Sequence, residues 1–191
     1  MKRTAFLFLP LLLWAADVNR GVELYNKGDF EDATNELQKV VDESPDNAQA
    51  RRYLGLALVE RGLVDEAANH LNKAHELEPS GETQLALARL AVERKDFNEA
   101  ETRLKEASGE DVGYVQGLLE FRRGRNPQAA QALENYLKSK PDNAYAHYYA
   151  GLAYSGMRKP DKMMTHFELF LRMKPSAPEA RKVRAVMKTG K

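Results

Sequence analysis

Five short stretches of this chain carry a small residue at matched places inside otherwise helical sequence, and that register constrains the fold more than any other feature. Aligned on Gly21, Gly55, Ala88, Gly117 and Gly151, the stretches recur at intervals of 34, 33, 29 and 34. Twelve residues after each comes Ala33, Ala67, Ala100, Ala129 or Met163, and four further on Leu37, Leu71, Leu104, Leu133 or Phe167. Pro45, Pro79, Pro141 and Pro175 close four of the five units. A glycine inside a helix costs roughly 1 kcal/mol relative to alanine, so its recurrence at one register position implies a packing return. The spacing places Gly55 opposite Ala67, two small residues that let paired helices approach closely. A Gly55→Leu change is expected to destabilise by overpacking.

Between the two small positions each unit carries a turn: "NKGDFEDA", "ERGLVDEA", "ERKDFNEA", "RRGRNPQA" and "GMRKPDKM". Asp29, Asp96 and Asn126 suit helix N-caps, Asp96 and Glu99 have capping-box spacing, and Pro127 and Pro160 fit a first helical turn. "SPDN" and "KPDN" then break the chain between units. Each unit is therefore a helix, a tight turn and a second helix. A period of about 34 residues marks a stacked array in which no unit buries its apolar face alone.

These residues resemble the tetratricopeptide repeat, most clearly in "RRYLGLAL…EAANHL…LEP" and "HYYAGLAY…KMMTHF…KP". The resemblance implies an all-α, right-handed superhelical array of antiparallel helix pairs. Its five units span about 15–47, 48–80, 81–109, 110–143 and 144–177, and residues 177–191 form a C-terminal capping helix. The leading aromatic of the family pattern is replaced by Asp17, Arg51, Gln84, Gly113 and His147. The third unit ends in "EASGED" without a proline, and Met163 replaces the second alanine of the fifth. Both departures predict a locally altered packing angle.

In the last segment, "SAPEARKVRAVMKTGK", Ala180, Val183 and Met187 line one side, while Arg181, Lys182, Arg184, Lys188 and Lys191 make the other basic. That is the polar outer face a terminal repeat needs; contact with anionic lipid or nucleic acid is the alternative.

Residues 1–16 differ in kind. Lys2 and Arg3 precede "AFLFLPLLLWAA", a basic then apolar pattern that fits a secretory signal peptide cleaved after Ala15 or Ala16. Twelve helical residues span only about 18 Å, too short for a bilayer core. A retained anchor, or a first helix of the fold, is the other reading. The expectation is an exported chain, periplasmic or extracellular. The chain has 29 basic and 28 acidic residues, no bulk charge that would direct it to nucleic acid, and no cysteine for lipid attachment, a disulfide or a thiolate metal site.

No reaction chemistry stands out. His70, His75, His147 and His166 form no metalloprotease pattern, and no glycine loop suits phosphate. Met163, Met164 and His166 in "MMTHF" could bind a soft metal, but methionine at helical spacing is ordinary core filler. The expectation is a non-enzyme without cofactor or metal.

What the resemblance implies is a concave groove formed by the second, fifth, sixth, ninth and thirteenth positions of each unit. These positions share one helical stripe. In this sequence they hold Val18, Val22, Arg52, Tyr53, Leu56, Leu85 and Arg89, then Tyr114, Val115, Leu118, Arg122, Tyr145, Tyr148, Tyr149 and Leu152. Tyrosine and arginine dominate many binding interfaces, so an apolar and aromatic groove suits a peptide or protein segment; packing between neighbouring helices is the alternative role for these rings. The lysines and asparagines with which the family clamps chaperone C-terminal carboxylates are absent: Val18, Val22, Tyr53, Glu82 and Ala86 stand in their places. The reading is an adaptor or scaffold, with self-assembly into a homo-oligomer, or a tethered or cytosolic regulator, as alternatives. On it, Tyr148→Ala with Arg89→Ala weakens capture of a partner without lowering the melting temperature much.

Overall fold

The computed structural model describes residues 17–189. The signal-peptide reading of residues 1–16 therefore lies outside the described residues, as does the end of the cap. The described chain is helical throughout: α1 (Val18–Lys27), α2 (Phe30–Glu43), α3 (Ala48–Glu60), α4 (Val64–Leu77), α5 (Gly81–Glu93), α6 (Phe97–Glu106), α7 (Val112–Arg122), α8 (Asn126–Leu137), α9 (Ala144–Gly156), α10 (Pro160–Met173) and α11 (Ala180–Thr189). Successive helices pair antiparallel into five units, and each first helix also packs on the first helix of the next unit. The result is an all-α helical repeat array. No helix among the described residues is long and apolar enough to cross a membrane.

The turn within each unit is built the same way five times. The backbone N–H groups of Asp29, Leu63, Asp96, Arg125 and Lys159 donate to the carbonyls of Leu24, Leu58, Ala91, Glu120 and Tyr154. The residue before each donor is left-handed: Gly28 (φ 86°), Gly62 (76°), Lys95 (61°), Gly124 (76°) and Arg158 (55°). This is the helix C-terminal motif that favours glycine, and two units form it without one. At three of the four junctions between units the cap is a side chain: Asn47 Oδ1 accepts from Ala50 N, Ser80 Oγ from Thr83 N, and Asn143 Oδ1 from Ala146 N.

Three capping expectations change. Asn126 is the first residue of α8, with Arg125 in the cap position. Asp29 stands at its cap without a side-chain hydrogen bond. Asp96 does accept from Glu99 N at 3.2 Å, but Glu99 turns to Arg103 at 2.6 Å instead of closing a capping box. A capping oxygen needs only its own rotamer, whereas the reciprocal bond competes with a guanidinium one turn away.

The core is the seam between the two helices of each pair. Leu37, Leu71, Leu133 and Phe167 are fully buried, beside fully buried Ala33, Ala67, Ala100 and Ala129 and nearly buried Met163. The glycine does not face the alanine, as the spacing suggested. A Cβ on Gly55 would stand 2.5 Å from Leu71 Cγ, and only the Ala67 carbonyl oxygen, at 3.2 Å, belongs to the expected partner. Gly117 meets Leu133 and Gly151 meets Phe167 at the same 2.5 Å, and Gly21 meets Leu37. The large side chain fills the space the glycine leaves. Unit three has Ala88 instead, and its Leu104 is only partly buried.

At three of the five positions where the family's leading aromatic is missing, a polar contact crosses the pair. Arg51 reaches His70 (3.5 Å) and the Pro45 carbonyl (2.5 Å). Gln84 receives Arg103 at 3.0 Å and donates to Glu106 at 2.6 Å. His147 approaches His166 at 2.9 Å and donates from Nε2 to the Pro141 carbonyl at 3.0 Å. At the shortened third loop, Ser108 N donates to the Gly81 carbonyl, drawing the loop onto the start of α5. On the last pair, α11 buries Ala180 and Val183.

Candidate functional site

The inner faces of α1, α3, α5, α7 and α9 enclose two adjoining cavities. The larger, about 780 Å³, is lined by Tyr25, Glu60, Arg89, Tyr114, Tyr136 and Tyr145, with Lys27, Lys140 and Lys174 at its margin. The smaller, about 380 Å³, is lined by Arg52, Tyr53, Leu56, Leu85 and Val115, and shares Tyr25 and Arg89. Arg89 Nη1 donates to the Tyr25 hydroxyl at 3.3 Å, a contact between residues 64 apart that crosses the groove and separates the cavities. Lys174, after α10, donates to the Lys27 carbonyl at the end of α1, so the fifth unit reaches the first across the opening. A lysine on the last carbonyls of a helix answers their partial negative charge.

A ladder of arginines, glutamates and tyrosines lines this surface. Arg52 pairs with Glu82 at 2.5 Å and lies over Tyr53; Arg89 pairs with Glu60 and lies over Tyr114; Arg122 pairs with Glu93 at 2.9 Å and lies over Tyr149. Each ion pair joins neighbouring units, so the guanidiniums are already engaged by the chain itself. Burial opposes the charge of Arg89, but Glu60 and the tyrosine hydroxyls outweigh it and raise its pKa well above the ordinary value. Burial likewise pushes the hydroxyls of Tyr25, Tyr145 and Tyr149 up to about 12, so all three stay protonated donors at neutral pH. Tyr136 donates to Asp111 at 2.6 Å and accepts from Asn143 at 2.9 Å, which fixes its ring in the wall.

The anticipated groove residues divide. Arg52, Tyr53, Leu56, Arg89, Tyr114 and Tyr145 line the cavities. Leu118 (1% exposed) is core, and Tyr148 (8%) packs on Phe170 at 5.2 Å between ring centroids. Tyr114, though it lines the larger cavity, is only 6% exposed. Tyr149 sits against Phe121 and Tyr148, and Arg122 lines neither cavity. The stripe fixes a face of the first helix but not what covers it: Tyr148, the fifth position of its unit, turns onto Phe167 and Phe170 of its own second helix. Glu60 holds the thirteenth position of the second unit, on the stripe, whereas Tyr25, Tyr136 and Lys174 belong to the site but lie off it, and no periodicity marks them. Met163 is nearly fully buried, and His166 faces His147 and Tyr154. Among the described residues no group of three histidine, aspartate or glutamate side chains could hold a metal ion.

The tetratricopeptide repeat profile matches residues 18–82 and 114–155. The chain belongs to the tetratricopeptide repeat family. Among solved structures, MamA is 26% identical, with 86% of this chain and 92% of MamA covered and a TM-score of 0.50. TTC0263, a tetratricopeptide repeat protein of Thermus thermophilus, is 18% identical over 91% of this chain and 96% of its own, with a TM-score of 0.71. YrrB, described as a tetratricopeptide repeat protein with an unusual peptide-binding site, is 18% identical over 88% and 90%, with a TM-score of 0.53. No curated protein matches the chain in sequence. This tetratricopeptide repeat protein departs from an open groove in one respect: Tyr25, Arg89 and Lys174 bridge its inner space.

Proposed function

We propose that this chain is a non-enzymatic adaptor, exported from the cytoplasm by residues 1–16, that holds a peptide or protein segment in the concave cavities. The observation that carries this is the larger cavity, about 780 Å³, walled by tyrosines with protonated hydroxyls beside an Arg89–Glu60 pair. Such a wall offers apolar ring area together with fixed donors and acceptors, which suits a backbone segment with one or two large side chains. Its members hydrogen-bond and pair with one another, and none is arranged as a nucleophile with a base. The peptide-binding site described for YrrB gives a precedent on this fold.

The test is capture by the mature chain from envelope extract, comparing wild type with Tyr53→Ser and Tyr145→Ser. Both side chains are half-buried and line the cavities. The expected outcome is at least a tenfold loss of the captured partner by variants that circular dichroism shows to be folded at the assay temperature. Unchanged capture by both variants overturns the groove as the site. Sequencing the N-terminus of the mature protein tests export: a start near residue 16 or 17 supports it, and a retained Met1 refutes it.

A further inference from the structure

Charge is balanced over the whole chain but segregated along it. Residues 17–47 hold three basic and nine acidic side chains, a net of −6, while residues 144–191 hold ten basic and three acidic, a net of +7. Between them, residues 48–143 hold 14 basic and 16 acidic side chains, a net of −2. Inside the array the charges meet across junctions, as in Arg94–Asp65, Arg123–Glu101 and Lys162–Glu134. Each terminal unit stacks on a neighbour on one side only, the Lys174–Lys27 contact across the opening aside, and the imbalance collects there. In α2, Glu31, Asp32 and Asp42 are exposed; in α11, Arg181, Lys182 and Lys188 are exposed while Ala180 and Val183 hold the helix against the last pair.

We propose that copies of this chain associate head to tail, the acidic first unit of one docking on the basic α10–α11 end of the next. Complementary patches steer encounter and fix orientation, and these two ends carry similar net charge of opposite sign on the same molecule. A second copy satisfies both ends at once. An anionic lipid surface would satisfy only the basic end and would repel the other. Because the two patches differ, the contact is heterologous, so repeated association gives a ring if the rotation closes and a filament if it does not.

The test is light scattering on the full chain at rising concentration, in about 50 mM and about 500 mM salt, since a Debye length of about 10 Å at about 0.1 M screens such patches. The average mass at low salt is expected to reach at least double that of the protomer and to fall back to it at high salt. Neutralising the basic end (Arg181→Glu, Lys182→Glu, Lys188→Glu, from +7 to +1) or the acidic end (Glu31→Lys, Asp32→Lys, Asp42→Lys, from −6 to 0) should each give a monomer at low salt. An equal mixture of the two variants should associate again, because each now offers what the other lacks; that recovery also shows that both are folded. A monomer at every salt, association that persists at high salt, or a mixture that stays monomeric overturns the proposal. A monomer that binds phosphatidylglycerol vesicles through the basic end overturns it in favour of lipid.

Discussion

A Cβ on Gly55 in α3 would lie 2.5 Å from Leu71 Cγ in α4, and Leu71 is fully buried. The same relation joins Gly117 to Leu133 and Gly151 to Phe167. The glycine is the recess into which the second helix sets its largest apolar side chain. Gly55→Ala gains roughly 1 kcal/mol of helix propensity but forces Leu71 from its position, and overpacking a tight core typically costs about 1–3 kcal/mol. Urea melts should show a net loss of up to about 2 kcal/mol. The double variant Gly55→Ala/Leu71→Ala should lose less than the two single losses summed, because removing the leucine relieves the clash.

Tyr148 is a packing residue, and the expectation that it could be truncated at little cost to stability does not hold. Its ring lies 5.1 Å from Tyr149, 5.2 Å from Phe170 and 6.5 Å from Phe167. Tyr148→Ala should cost about 3–4 kcal/mol, in the range for removing a buried aromatic. Thermal denaturation checks this; a melting temperature within a degree of wild type would put Tyr148 back on the groove. Arg89→Ala is likewise expected to destabilise, since it leaves Glu60 inside the groove without its partner.

Lys95 and Arg158 occupy the left-handed turn position that Gly28, Gly62 and Gly124 fill in the other units. Lys95→Gly and Arg158→Gly should each stabilise by about 0.5–1 kcal/mol, since glycine adopts that conformation without a Cβ penalty. Because the two sites are far apart, the gains should add. Differential scanning calorimetry of the singles and the double measures both claims.

His166 faces His147, Tyr154, Glu134 and Lys162, and burial followed by His147 lowers its pKa to about 4. Burial, then Arg51, lowers that of His70 as well. The folded state thus binds these protons less readily than the unfolded chain, whose histidines titrate near ~6.5. Stability should be level above that pH, fall as pH drops through it towards 4, and cease to depend on His166 below 4. Melting temperatures from pH 7.5 to 4.5 should show this slope, and the variant His166→Gln should flatten it.

The repeating unit follows from local rules. Small residues and large apolar ones at fixed distances, turn residues within each unit and proline-containing breaks between units act over a few residues each, and a helix pair has few ways to satisfy them. The array and its family were legible in the sequence for that reason, as was a concave tyrosine-rich surface on the first helices. Which partner each residue meets emerges only in the folded array. Spacing along a helix fixes a face but not the depth reached by a side chain opposite, so Gly55 was matched to Ala67 when Leu71 fills the space. Tyr148 turned onto Phe167 and Phe170 within its own unit, and superhelical curvature, accumulated over the junctions between units, brought Tyr25 to Arg89 and Lys174 to Lys27. Those contacts span 64 and 147 residues, and no periodicity within a unit encodes a sum of small rotations between units.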